Sequence, residues 1–379
     1  MRPPPLAWRN LTHQLRRSFA AMLGVVFAVL LVFVQAAALD GARINVARLY
    51  SLVAADLVIT DRGYVTATRS ASVSRARLLQ AANVAGVARV GGLMVESVRW
   101  RNVRAGGDGS CVLLGVSPEV PLFAEARLNA QLPRLRQPAA VLLDRESRPR
   151  YGPWAVGDPA ELAGRPVEIV GDYALGFGLI ADGSAIMSED TFARLLGDGA
   201  RDRPSLGFVQ FAPGADPAEV TARLRAALPP DVTLATKAEM IRREQRHFLT
   251  VKPVGIIFQV GMMVAFIAGA VLLGQTLSAE ITDRLPEFAT MKALGHSAAA
   301  VYGVGLRQAL LLALAAYGPA LALAAILGAS LRRASGFPVE MTAARAGFVG
   351  LLTLAMCAIA AAFAFHRLRR ADPAALYVR

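Results

Sequence analysis

The chain has 379 residues, of which 55% are hydrophobic, and a mean hydropathy of +0.43, where soluble domains hold roughly 45–50% apolar residues. Its net charge of +13 comes with no basic stripe interleaved with aromatics, which argues against nucleic-acid binding. The two cysteines, Cys111 and Cys357, build no disulfide framework, and His13, His247, His296 and His366 have no zinc spacing.

A bilayer core about 30 Å thick needs about 20 apolar residues in a helix. Residues 1–18, with Arg2, Arg9, Arg16 and Arg17, read as an amphipathic cytoplasmic start. The first span is 19–39, an apolar run from Phe19 to Leu39 that is too long for the apolar core of a cleaved signal peptide, about 7–15 residues.

Residues 40–252 change pattern to short β-type runs separated by Gly, Pro and Asp: Ala55–Thr60, Val95–Trp100, Val112–Val116, Ala140–Leu143, Val167–Val170, Ala185–Met187 and Gly207–Phe211. The clearest helix is Asp216–Leu228, with Asp216 as N-cap, Pro217 in the first turn and Glu219 at capping-box spacing. Between Gly207–Phe211 and Val232–Leu234 it forms a β-α-β unit, and Ser74–Ala82 followed by Ala88–Trp100 suggests a second. The expectation is an α+β domain with two related halves. The acidic pairs Asp144–Glu146 and Glu189–Asp190 read as caps or solvated groups, and no nucleophile elbow occurs.

The second span is 254–277. A link, 278–298, leads to the third span, 299–329, which is apolar from Ala309 and carries Pro319. A loop, 330–345, precedes the fourth span, 346–365, and the tail is 366–379. Gln35, Gln259 and Gln275 are expected to join helix–helix hydrogen bonds. Arginines crowd the N-terminal flank and the tail (Arg367, Arg369, Arg370, Arg379), so the positive-inside rule places both termini in the cytoplasm. Arg332, Arg333 and Arg345 on the outer loop count against this orientation.

In the link, Pro286 sets a helix start, Phe288, Met291 and Leu294 fall near one face, Glu287 sits in the first turn and Gly295 is a natural C-cap. On periodicity alone a plain connector between two helices, with its charges facing water, is the favoured reading. The string Asp283-Arg284-Leu285-Pro286-Glu287-Phe288-Ala289-Thr290-Met291-Lys292-Ala293-Leu294-Gly295 resembles the signature loop of FtsX/MacB-type ABC transporter permeases, most of all the DevC branch. Leu6-Ala7-Trp8, Ala54-Ala55-Asp56-Leu57 and the closing Leu368-Arg369-Arg370-Ala371-Asp372-Pro373-Ala374 are similar to that branch too.

The resemblance implies a type VII architecture: four transmembrane helices, a large periplasmic α+β domain between the first two, and a homodimer in the bacterial inner membrane. A separate ABC ATPase would supply ATP and Mg chemistry, since no G-x-x-x-x-G-K-[ST] phosphate loop occurs in these 379 residues; this chain would itself be non-enzymatic and hold no cofactor or metal. Asp283, Arg284, Leu285, Pro286, Glu287, Phe288, Met291, Lys292 and Gly295 would couple to that ATPase. A membrane-fusion adaptor and a TolC-like outer-membrane channel would complete a route for lipid, glycolipid or other hydrophobic cargo. An FtsX-like transmembrane regulator, a lipoprotein-release permease and a membrane-anchored sensor are the competing readings.

Overall fold

The computed structural model describes residues 15–67, 71–176, 181–283, 298–335 and 341–370. Among them α1 (Leu15–Leu52) leads to β1 (Leu57–Asp61), α2 (Arg75–Ala82), β2 (Val87–Asn102) and β3 (Asp108–Val116). Then come β4 (Ala140–Asp144), β5 (Pro159–Leu162), β6 (Arg165–Tyr173), β7 (Gly183–Ser188) and α3 (Glu189–Leu196). After β8 (Leu206–Phe211), α4 (Pro217–Ala227), β9 (Val232–Thr236) and α5 (Lys237–Thr250) the described residues form three long helices. These are α6 (Pro253–Asp283), α7 (Ala298–Ser335) and α8 (Ala343–Arg370). Contacts divide the chain into a helical unit, from Met1–Asp40, Pro253–Ser330 and Val339–Arg379, and a sheet unit, from Gly41–Lys252 and Leu331–Pro338.

The helical unit takes its shape from side-chain size. Met22–Leu52, Pro253–Ala279, Leu310–Arg333 and Ala343–Ala364 are each long and apolar enough to cross a membrane. In lipid there is little hydrophobic drive between helices, so close contact depends on small residues. The interior is accordingly rich in alanine: Ala28 and Ala36 of α1, Ala265 of α6, Ala313, Ala316 and Ala320 of α7, and Ala360 and Ala361 of α8, packed with Val29, Phe33 and Met356. At Gly261 of α6 a Cβ would come within 2.6 Å of the Gln35 Nε2 of α1. Gln35 therefore meets the second span by packing, and its Oε1 accepts no hydrogen bond among the described residues. Gln259 donates to the Gly255 carbonyl of its own helix at 3.2 Å. Helix α7 continues through Pro319. Beside that proline, Tyr317 donates to the Ala346 carbonyl of α8 at 2.7 Å and lies 5.7 Å from the Phe33 ring of α1.

The sheet unit has two parts that share the long strand β2. In the first, the strand order is β2-β8-β1-β9, with β1 antiparallel to both of its neighbours. Both expected β-α-β units are present, β1-α2-β2 and β8-α4-β9, but they interleave: β8 lies between β1 and β2, a split β-α-β arrangement. Alternate residues of these strands face opposite sides. Leu57, Ile59 and Val209 pack under Leu78 and Ala81 of α2 and Val220 and Leu224 of α4. Val58 and Phe208 pack with Leu49 and Tyr50 of α1, with Val53 just beyond its end, and with Met240 of α5.

The second part is inserted between the two halves. Strand β2 bonds β3, β3 bonds β7, β7 bonds β4, β4 bonds β6, β6 bonds β5 and β5 returns to β2, closing a ring with no free edge. Its interior holds Trp100, Cys111, Leu113, Val141, Leu143, Leu162, Ile169, Ala185 and Met187. The Trp100 ring stacks on Tyr151 at 5.0 Å and 7°. Asp216 caps α4 as expected, accepting from the Ala218 N–H at 2.9 Å. Glu219 corrects the expectation of a capping box there, because its carboxylate pairs with Arg223 one turn on.

Candidate functional site

Of the residues expected to couple to an ATPase, Asp283 closes α6. Arg284, Leu285, Pro286, Glu287, Phe288, Met291, Lys292 and Gly295 lie outside the described residues. The polar site that the structure does describe lies where α1 and α5 reach the sheet.

Helix α5 begins at a capping box. The Thr236 hydroxyl accepts from the Glu239 N–H at 3.2 Å, and the Glu239 carboxylate accepts from the Thr236 N–H at 2.8 Å. Hydrogen bonds from the Thr236 backbone N–H and from its hydroxyl, the second of which alanine removes, hold the Glu239 carboxyl below its ordinary 4.5. A depressed carboxyl contributes stability above its unfolded pKa and loses it as pH falls through the folded one. Thr236→Ala is thus expected to cost about 1 kcal/mol, read as a lower unfolding midpoint at neutral pH. The difference from wild type should narrow once the pH drops below 4.5; a gap that is constant with pH would count against the box.

From this cap α5 runs antiparallel to the end of α1. Lys237 Nζ donates to the Val53 carbonyl at 2.6 Å, and Gln245 Nε2 donates to the Arg43 carbonyl at 3.0 Å. Between them the buried carboxyl of Glu244, 7% exposed, receives three donors on one oxygen. These are the hydroxyl of Tyr50 from α1, the hydroxyl of Tyr64 from the segment after β1, and the Ala67 N–H at 3.0 Å. Burial pushes the carboxyl above its ordinary value, and the same burial raises the Tyr64 phenol. The Arg243 guanidinium stands 5.6 Å over the Tyr64 ring and donates to the Tyr64 carbonyl at 2.8 Å.

A second buried carboxylate organises the other flank of α1. Asp144, at the end of β4, accepts from the N–H groups of Glu146 (3.0 Å), Leu175 (3.0 Å) and Gly176 (2.8 Å) and from the Ser184 hydroxyl (3.1 Å). Gly176 has φ +68, a left-handed conformation that glycine adopts without a Cβ penalty. It turns the Leu175 and Gly176 carbonyls toward Arg48 of α1, which donates to both. In sequence Asp144 reads as a cap or a solvated acid; its full burial is a tertiary fact with no local signal.

These groups saturate one another, so the arrangement orients helices and loops and activates no nucleophile. The Cys111 thiol is fully buried and pushed up to about 12. Among the described residues no group of acids, histidines and cysteines is placed to hold a metal. Glu189 and Asp190 border a polar cleft, where Arg75 pairs with Glu189, Arg136 with Glu119 and Arg201 with Asp190.

A membrane protein with four spanning helices and a large sheet domain between the first and second is a polytopic permease architecture. Residues 18–227 match the family described as MacB-like periplasmic core domain, and residues 260–373 match the FtsX-like permease C-terminal family. The chain belongs to the MacB/FtsX-type permease family of ABC transporters. Among solved structures it is similar to the extracellular domain of the noncanonic ABC-type transporter YknZ from Gram-positive bacteria. That match has 14% identity and a TM-score of 0.35, over 48% of this chain and 99% of that one. The periplasmic region of MacB from Actinobacillus actinomycetemcomitans matches with 9% identity and a TM-score of 0.38, over 51% of this chain and 93% of that one. A search of the curated protein sequences finds no significant match.

Proposed function

We propose that this chain is the permease subunit of an ATP-driven exporter in the bacterial inner membrane, with both termini cytoplasmic. It works as a homodimer, draws on ATP and Mg in a separate ATPase, and contributes no catalysis of its own. Its periplasmic domain meets a membrane-fusion adaptor and a TolC-like outer-membrane channel in a route for lipid, glycolipid or other hydrophobic cargo. The DevC-like string from Asp283 to Gly295 seats on the ATPase, with Arg284, Glu287 and Lys292 as polar contacts and Leu285, Phe288 and Met291 as apolar ones.

The observation that carries this reading is the unbroken helix α1, which begins in the apolar span and ends in the core of the sheet unit, where Leu49, Tyr50 and Val53 are buried. A stiff helix carries displacement without an aqueous path. Ile257, Val260, Met263, Val264, Ile267 and Val271 leave one face of α6 exposed and apolar, which suits lipid or a second copy. Arg345, an arginine on the side assigned to the periplasm, pairs with Asp40, and its place is explained by that partner.

Co-purification with the ATPase encoded beside the chain tests the proposal. Wild type should retain the ATPase, while Glu287→Lys and Met291→Asp should lose it and still insert in the membrane. Retention by both variants, or no ATPase bound to wild type, would overturn the assignment of the string.

A further inference from the structure

Two neighbouring segments converge on a single oxygen of a third that is remote from both in sequence. Tyr50 lies 194 positions from Glu244 and Tyr64 lies 180, and their hydroxyls are 2.8 Å apart. Apolar burial of Leu49, Val53 and Met240 also holds α1 and α5 on the sheet, but such attraction is non-directional and tolerates sliding and rotation. Hydrogen bonds fix direction. Resting on the transmission reading above, we propose that Glu244 is a positioning residue: a pin that locks the end of α1, the approach to α6 and the segment after β1 in one register.

The donor arithmetic makes the role specific. Two phenol hydroxyls and the Ala67 N–H need acceptors. If the carboxyl is removed, one tyrosine can donate to the other, which leaves the second phenol proton and the Ala67 N–H unsatisfied. A leucine of similar volume fills the space and cannot accept. A glutamine keeps an accepting oxygen. With the pin in place, displacement of either helix reaches the segment that follows β1, and β1 lies between β8 and β9 in the split β-α-β sheet. Without it the helices remain packed but slip.

The test is hydrogen–deuterium exchange on the full-length chain in phospholipid nanodiscs, comparing wild type, Glu244→Gln and Glu244→Leu. Glu244→Leu should exchange about tenfold faster in residues 41–52 and 237–250, with β3, β4 and β7 unchanged, and Glu244→Gln should track wild type. Wild-type exchange in the leucine variant would overturn the pin, as would equal loosening by glutamine or faster exchange throughout the sheet unit. The same measurement on the complex with the ATPase, with and without ATP, tests transmission. Wild type should show a nucleotide-dependent change in β1, and Glu244→Leu should keep the ATPase and lose that change. If wild type binds the ATPase and β1 does not respond, the transmission reading fails while the nucleotide-free comparison still decides the pin. A response retained in Glu244→Leu overturns its role in coupling.

Discussion

Asp144→Ala is expected to destabilise the sheet unit by about 3–5 kcal/mol, the largest single loss the structure implies. The carboxylate is fully buried, and its removal strands the N–H groups of Glu146, Leu175 and Gly176 and one bond from Ser184. A buried donor without an acceptor loses its hydration and gains nothing in return. The damage reaches α1 as well, because Arg48 bonds the carbonyls of the turn that Asp144 holds. Asp144→Asn should lose nearly as much: each carboxylate oxygen accepts from at least one backbone N–H, so in either orientation the amide N–H₂ faces a donor that cannot accept. Denaturant unfolding of the full chain in detergent, followed by tryptophan fluorescence, is the measurement, since Trp100 lies buried in the adjoining ring. A loss below about 1 kcal/mol, the worth of an ordinary hydrogen bond, would mean that the turn finds other partners.

The second large effect is expected in the helical unit. Arg345 of α8 has a side chain only 2% exposed and donates through Nε to Asp40 at 3.0 Å. Asp40→Ala takes this carboxylate, itself 35% exposed, from a buried guanidinium, a change expected to cost about 1.5–3 kcal/mol, the worth of a hydrogen bond between charged groups. Replacing both groups with apolar residues of similar size is often neutral, so Asp40→Leu combined with Arg345→Met should recover most of the loss. Thermal unfolding in detergent micelles compares the three proteins. If the single variant melts with wild type, or the double variant is worse than the single, the pair does not hold the first span to the fourth.

Both predictions rest on contacts that sequence could not reveal. Asp40 and Arg345 are 305 positions apart, and by charge alone Arg345 counted against the membrane orientation. Glu244 sits in the run Glu239-Met240-Ile241-Arg242-Arg243-Glu244-Gln245-Arg246-His247, where it reads as one more solvated charge on a polar helix. A hint was available in its spacing from Met240, since residues four apart share a helix face, and Met240 is fully buried.

By itself the sequence determined the architecture of spans and insert, because an apolar run long enough to cross a bilayer is a contiguous signal that needs no partner to be read. It also determined the positions of the short strands and the Asp216 cap of α4, which depend on alternation and on a few neighbouring residues. The tertiary structure alone decided how the strands pair: the interleaving of two β-α-β units through β8, the closure of the ring when β3 bonds β2, and the seating of α1 and α5 on one face of the sheet. It also decided which acids are buried. Pairing and burial depend on residues brought together across tens to hundreds of positions, and local periodicity carries no record of those distances.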